Sequence, residues 1–468
     1  MAGLLADYGV TAVFGVPGGQ TLPLYYGILD EGNRIRHILM KDEIDATFAA
    51  DAYARISGGI GVCDATAGCG AIKFISGLAE AYNTSIPVIA IGSEMEGDWL
   101  AARYRGTGSQ VVDSKEVLKP VTKWQACLPH VNKMPELVQT AAQMAVSGRP
   151  GPVFIECPWR PFREEYTGPD YESNRKLASL PAHRPTPSRD EIDEAIQVLK
   201  EAKRPVMLLG GGAWRSGARA EITALAERMA MPAASLTGKG VLPENHPLSL
   251  GVVGSLGGND VSRKMVEEAD VILAIGFKFS QNSTYGWTIP RKGQKEIRID
   301  IDETEMNKLH TTDVGLVGDA KATLQLLLDR LDAQRDPTAV EKEIAKLYRA
   351  WRKKNRPAVE ADDCITPQRV VSLLNELCGD DTILACDASF SCGWAGSFFD
   401  VYGARRTILP RGAGGLGYGL PAGIGAAAAR PGNKVVVLTG DGGLNYCLGE
   451  MAVLDEQNTD VKVVVRSN

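Results

Sequence analysis

The sequence predicts an α/β protein of three doubly wound parallel-sheet units, the last of them incomplete. Short β-branched runs, each followed by a glycine turn and helical periodicity, recur along the chain: TAVFGVPGG, GVCDATAGCG, PVIAIGSE, RPVMLLGGG, DVILAIGFK, KEIRIDID, DTILACDAS, KVVVLTGDGG and VKVVVRSN. Strand, turn and helix in repetition give parallel sheets covered on both faces. The length of 468 residues exceeds one domain, and about 150 residues per domain suggests three. Two polar, proline-bearing stretches, LPAHRPTPSRDE at 180–191 and a charged run at 335–363, divide the chain. The expected units are therefore 1–165, 190–335 and 365–468. The third shows fewer strand runs than the first, and the opening MAGLLADYGV reads as the second half of a helix, so both ends look trimmed.

Composition narrows the function classes. A formal net charge of −6 gives no general attraction to nucleic acid or anionic membrane. No apolar run approaches the roughly eighteen residues of a membrane helix, and the amino terminus has no basic leader. The nine cysteines contain no CxxC pair, which fits reduced thiols in a cytoplasmic protein. Glycine is abundant, at 51 residues, and in parallel sheets ligands gather at the strand carboxyl ends where such glycine turns lie.

Five segments carry chemistry. KDEIDATFAADAYAR (41–55) is a helix with Glu43 in its first turn, where the helix dipole favours a carboxylate. FGVPGG precedes it, and GVCDATAGCGA with LAEAYNTSIPVIAI follows. Far along the chain come LPRGAGGLGYGLPAGIGAA and the terminal GDGG stretch. In this order the segments resemble the thiamine diphosphate enzymes of the acetolactate synthase and benzoylformate decarboxylase type. The resemblance covers essentially the whole chain, in the domain order pyrimidine-binding, central and diphosphate-binding.

The resemblance implies a role for each motif. Asp441 and Asn468, twenty-seven positions apart (468 − 441) with Ser467 where another Asn often stands, match the ligands of a magnesium ion that grips the cofactor diphosphate. Hard oxygen ligands suit that ion. Gly442 and Gly443 would open backbone N–H groups to a phosphate, and Tyr446 would reach the same oxygens. Leu416 matches the apolar wedge that bends the cofactor, and Gly414 beside it lets the backbone approach the pyrimidine. Ser389, in CDASFSCGW, substitutes with Ser391 for the family's usual phosphate contacts. Glu43 would share a proton with the pyrimidine ring of a cofactor held by a neighbouring subunit, so a homodimer or homotetramer is implied. Gln110 resembles a glutamine that approaches substrate in acetolactate synthases. The family's remaining carbonyl ligand, last strands and active-site lid would lie beyond Asn468, so a carboxyl-terminal part is expected to be missing from this sequence.

Several positions depart from the pattern. Asp42 precedes Glu43 where many relatives have His, and Asp64 stands where benzoylformate enzymes have one. The five histidines include no adjacent pair. These features lean toward carboligation of a small 2-oxo acid over simple decarboxylation. Cys69 replaces a common proline and reads as a structural thiol. In the central unit, RPVMLLGGGAWRSGARAE with RIDIDETEM invites a dinucleotide reading, but the spacing is not a clean GxGxxG. FAD is the alternative cofactor there, although 277–290 does not resemble a flavin-contacting stretch and an empty nucleotide fold is expected.

Each motif also has a plain structural reading. Glu43 and Asp42 serve as charges at a helix start, GDGG as a strand-to-helix turn, Leu416 as core and Gln110 as a solvated loop residue. An inactive paralogue or partner subunit with a binding role is the functional alternative.

Overall fold

The computed structural model describes residues 1–95, 108–355 and 365–467. Its strands form three sheets. The first runs β2-β1-β3-β4-β6-β5, with β1 Ala12–Val16, β2 Arg36–Leu39, β3 Gly61–Ala65, β4 Val88–Glu94, β5 Trp124–Cys127 and β6 Val153–Pro158. The second runs β12-β11-β10-β7-β8-β9, with β7 Pro205–Leu209, β8 Ala233–Ser235, β9 Ser249–Val252, β10 Val271–Ile275, β11 Lys295–Asp300 and β12 Val314–Val317. The third runs β14-β13-β15-β16, with β13 Ile383–Cys386, β14 Arg406–Ile408, β15 Val435–Gly440 and β16 Val461–Arg466.

The central strands are buried on both faces, as VILAI in β10 and VVVLT in β15 illustrate. That is why they read as continuous apolar runs rather than alternating ones. In the first sheet the residues divide by the period of two. Val13, Val62 and Ile89 join one apolar cluster, while Phe14, Cys63 and Ala90 join the other.

The chain forms two compact units. One comprises Met1–Ala182, Ile383–Ser389 and Ile408–Asn468, so it holds the first sheet together with β13, β15 and β16; the other comprises His183–Thr382 and Phe390–Thr407. Within the first unit the helix Glu43–Ser57 is buried on nearly every side. Its Ala46, Ala49 and Ala50 pack with the first sheet, and its Phe48, Ala52 and Ile56 pack with Tyr418, Ala422 and Ala426 beside the third. An alanine-rich sequence permits this, because it forms a helix readily and fits between two packed layers. No helix among the described residues is long and apolar enough to cross a membrane.

Two strand-order reversals matter for function. The first sheet reverses between β1 and β3, and the third between β13 and β15. In open parallel sheets ligands bind at the carboxyl ends of strands beside such a reversal.

Candidate active site

At the reversal of the first sheet, the loops after β1, β2 and β3 converge. Asp42 caps the helix Glu43–Ser57, its Oδ1 accepting from the Ile44 N–H at 2.8 Å. Glu43 follows, only 7% exposed. Its Oε2 pairs with Lys73 Nζ at 3.0 Å, and the same ammonium meets Asp42 Oδ2 at 2.6 Å. The other oxygen, Oε1, faces the turn Thr66–Gly70, 3.0 Å from where a Cβ on Gly70 would stand.

Gln110 meets that turn as well. Its backbone lies against Gly68, whose added Cβ would come within 2.6 Å of the Gln110 carbonyl oxygen. Its side-chain Oε1 accepts from Gln20 Nε2 at 3.2 Å, while Gln20 Oε1 accepts from Thr66 Oγ1 at 2.7 Å. Glu43 and Gln110 thus meet the same turn, at Gly70 and at Gly68. Gln20 joins them without belonging to a motif; its only sequence signal is its place after the glycines that end β1. Asp64 belongs elsewhere. Alternation turns it toward the face of Val62, away from the helix Glu43–Ser57, and it is fully buried between Tyr25 and His37 Nε2, the latter at 2.8 Å. Burial, with the Asp64 charge second, pushes the Tyr25 hydroxyl far above its ordinary value. Cys69 is an exposed free thiol.

At the reversal of the third sheet, a buried acid organises the loops. Asp387, just past β13, accepts from the N–H groups of Ala388 (2.6 Å) and Gly417 (3.1 Å) through Oδ1, and from Thr439 Oγ1 (2.9 Å) through Oδ2. Burial pushes its carboxyl above the ordinary value, opposed by these donors. Gly443 must be glycine here, because a Cβ would stand 2.4 Å from Asp387 Oδ2. Gly417, at φ +83°, turns the chain so that Leu416 projects, 46% exposed, beside the Tyr446 segment. Around it Gly414, Ser389, Asp441, Gly442 and Tyr446 are all exposed. Asn468 lies outside the described residues.

Glu80 holds the turn that leads to Gly414. Fully buried, its carboxylate accepts from the N–H groups of Arg411, Gly412, Ala413 and Gly414 at 2.7–3.1 Å. Arg55 completes the shell at 3.0 Å from Glu80 while also pairing with Asp51 at 2.7 Å.

Glu450 makes a further link between the two sides. Its Oε1 accepts from the Lys41 and Asp42 N–H groups at 2.8 and 3.1 Å, directly before Glu43. Its carboxyl lies against that of Asp45, which is pushed up to about 9 by burial and then by the Glu450 charge. One shared proton satisfies both acids.

This surface fits a phosphorylated, partly apolar cofactor. An apolar side chain projects at Leu416, and nothing lies within 4 Å of a Cβ added at Gly414 or Gly442. Asp441 offers one exposed carboxylate. Among the described residues no cluster of three His, Cys, Asp or Glu side chains could hold a metal ion. Amide and backbone carbonyl oxygens, water and diphosphate oxygens are the other hard ligands that a magnesium ion accepts.

Three family models match the chain. The thiamine pyrophosphate enzyme N-terminal TPP binding domain matches residues 1–117, the central domain 192–327, and the C-terminal TPP binding domain 387–468. The chain belongs to the thiamine pyrophosphate enzyme family. It is 35% identical to an acetolactate synthase of Arthrospira platensis, over 99% of this chain and 80% of that protein. A probable acetolactate synthase large subunit of Methanocaldococcus jannaschii is 35% identical, over 98% of this chain and 78% of its own length. A probable 2-ketoarginine decarboxylase, AruI, of Pseudomonas aeruginosa is 34% identical, over 99% and 80%. The expected fold class and family hold: three parallel-sheet α/β modules in a thiamine pyrophosphate-dependent enzyme.

Proposed function

We propose that this enzyme decarboxylates a small 2-oxo acid and joins the remaining acyl unit to a second carbonyl compound, using thiamine diphosphate held with a magnesium ion. The observation that carries this reading is the placement of Glu43, a buried carboxylate at the first sheet's reversal, in the same compact unit as the exposed Asp441 and Gly442 at the third. Bound thiamine diphosphate supplies a thiazolium ring that takes up the electron pair left when carbon dioxide departs.

The protein's own groups divide the remaining work. Glu43 Oε1 would hold or accept a proton at the pyrimidine edge, where exclusion of water strengthens the hydrogen bond. Asp441 and Asn468 would hold the magnesium ion, with Gly442, Gly443, Tyr446 and Ser389 meeting phosphate oxygens. Leu416 would press between the cofactor rings, and Gly414 would leave its backbone open to the pyrimidine. Gln110 and Gln20 would offer amide hydrogens to the carboxylate of the 2-oxo acid. The domain boundaries expected from sequence, 1–165, 190–335 and 365–468, would divide these roles, with Glu43 of one copy meeting the cofactor of another in a homodimer or homotetramer.

Carboligation is favoured because His37, the histidine nearest Glu43 in sequence, is engaged by Asp64 on the opposite sheet face. Decarboxylation alone is the second reading, supported by the relative named as a probable 2-ketoarginine decarboxylase. An assay with thiamine diphosphate and magnesium against a panel of 2-oxo acids, following carbon dioxide and coupled product together, tests the choice. Carbon dioxide matched by a 2-hydroxy ketone or acid and abolished by a chelator is expected. Matching aldehyde would favour the second reading, and no turnover of any 2-oxo acid would defeat both.

A further inference from the structure

Lys73 is the last residue of the short helix Cys69–Lys73, which starts inside the turn that faces Glu43. Its ammonium contacts two acids at once, Asp42 at 2.6 Å and Glu43 at 3.0 Å. The side chains of Lys73 and Asp42 are 43% and 35% exposed, while that of Glu43 is only 10% exposed. An ion pair this open contributes little to stability. Its geometry therefore bears on the orientation and charge of the buried partner.

Glu43 needs such support. Asp42 and Asp45 share its helix start, and Glu450 lies at the same terminus, from the turn Leu448–Glu450. Of the nearby cations, Lys41 is turned to Glu456 at 2.7 Å, whereas Lys73 contacts Glu43 directly. Hydrogen bonding to Asp42, ahead of that to Glu43, holds the Lys73 ammonium well above its ordinary value despite partial burial, so it stays charged wherever the enzyme works.

We propose that Lys73, anchored by Asp42, is a positioning residue for Glu43: it fixes Oε2, leaves Oε1 facing the Thr66–Gly70 turn, and keeps the carboxylate ionised. This rests on the reading of Glu43 as the group that exchanges a proton with the cofactor.

The test uses cofactor-free protein first. The infrared band of the protonated Glu43 carboxyl, assigned by its absence in Glu43→Gln, is followed against pH in the natural protein and in Lys73→Met, Lys73→Arg and Lys73→Gln. In Lys73→Met the band should persist about one pH unit higher. The arginine variant should return to the natural profile, and Lys73→Gln should match Lys73→Met. The acid limb of kcat/KM for the cofactor-loaded enzyme should move in the same direction. Coincident profiles in Lys73→Met and the natural protein would overturn the inference. If Lys73→Met does not fold, Lys73→Gln decides, and an unmoved band there overturns it. Failure of the underlying reading is distinguishable: Glu43→Gln would then leave cofactor proton exchange unchanged, whatever the Lys73 profiles show.

Discussion

Glu80 and the pair Asp45 with Glu450 both bury acid between the helices of the first sheet and the loops around the third, yet they reach opposite solutions. Glu80 meets four backbone N–H groups and a guanidinium, so its charge is matched by donors. Asp45 and Glu450 meet each other, and burial drives them to share a proton. Donor supply rather than burial decides whether an interior carboxyl stays charged. The charged anchor supports the Gly414 turn where the cofactor is proposed to sit, and the protonated pair ties the start of the Glu43 helix to Glu450. One side of the site is therefore held by a net of hydrogen-bond donors, and the other by a pair of acids that shares a proton.

Removing the charged anchor should have the largest effect. Glu80→Ala leaves four backbone N–H groups without their acceptor and takes from Arg55 one of its two carboxylate partners, Asp51 remaining, and should cost about 3–5 kcal/mol. Denaturant titration measures the loss, and hydrogen exchange at Gly412, Ala413 and Gly414 should quicken. Protection that survives in the variant would break the comparison on the Glu80 side. Asp387→Ala should come next, at about 1–3 kcal/mol from unmatched donors at Gly417, Ala388 and Thr439. Isothermal titration should show weaker binding of thiamine diphosphate, because Leu416 loses the hydrogen bond that sets its neighbour.

The protonated pair should give the smallest effect per pH unit, seen as a slope that accumulates across its window. The Asp45 carboxyl rises from an ordinary 3.8 to about 9 on folding. Between those values the folded protein keeps a proton that the unfolded chain has released, so stability falls as pH rises through the window. The slope stays below about 1.4 kcal/mol per pH unit. Asp45→Asn should flatten it, with melting temperatures across this pH range as the readout. An equally steep fall in the variant would show that the proton resides elsewhere.

These contrasts mark what was legible in the sequence. Long strands buried on both faces, such as VILAI and VVVLT, announce a parallel sheet without help. Strands such as β8 (AAS) and β14 (RTI) do not, because three residues carry no period and owe their pairing to neighbours. At the site, Glu43, Gln110, Gly414, Leu416, Asp441 and Gly443 stand in recognisable runs, and the structure groups them at two strand-order reversals. Glu80 and Gln20 do not stand out. Glu80 binds backbone N–H groups more than 330 positions away, a contact that leaves no side-chain pattern at the far end. Asp387 had a faint signal: like Asp441 it is an acid placed directly after a buried strand, CDAS beside GDGG. Asp64 shows the converse, since it stands where benzoylformate enzymes have His, while the period of two sends it to the other face, between Tyr25 and His37.

The most direct test is the rate of hydrogen–deuterium exchange at the thiazolium C2 of bound thiamine diphosphate, compared between the natural enzyme and Glu43→Gln. Slowing by at least about a hundredfold, with cofactor affinity largely retained, is the expected result. An exchange rate that does not change would remove Glu43 from the proton path and contradict the account.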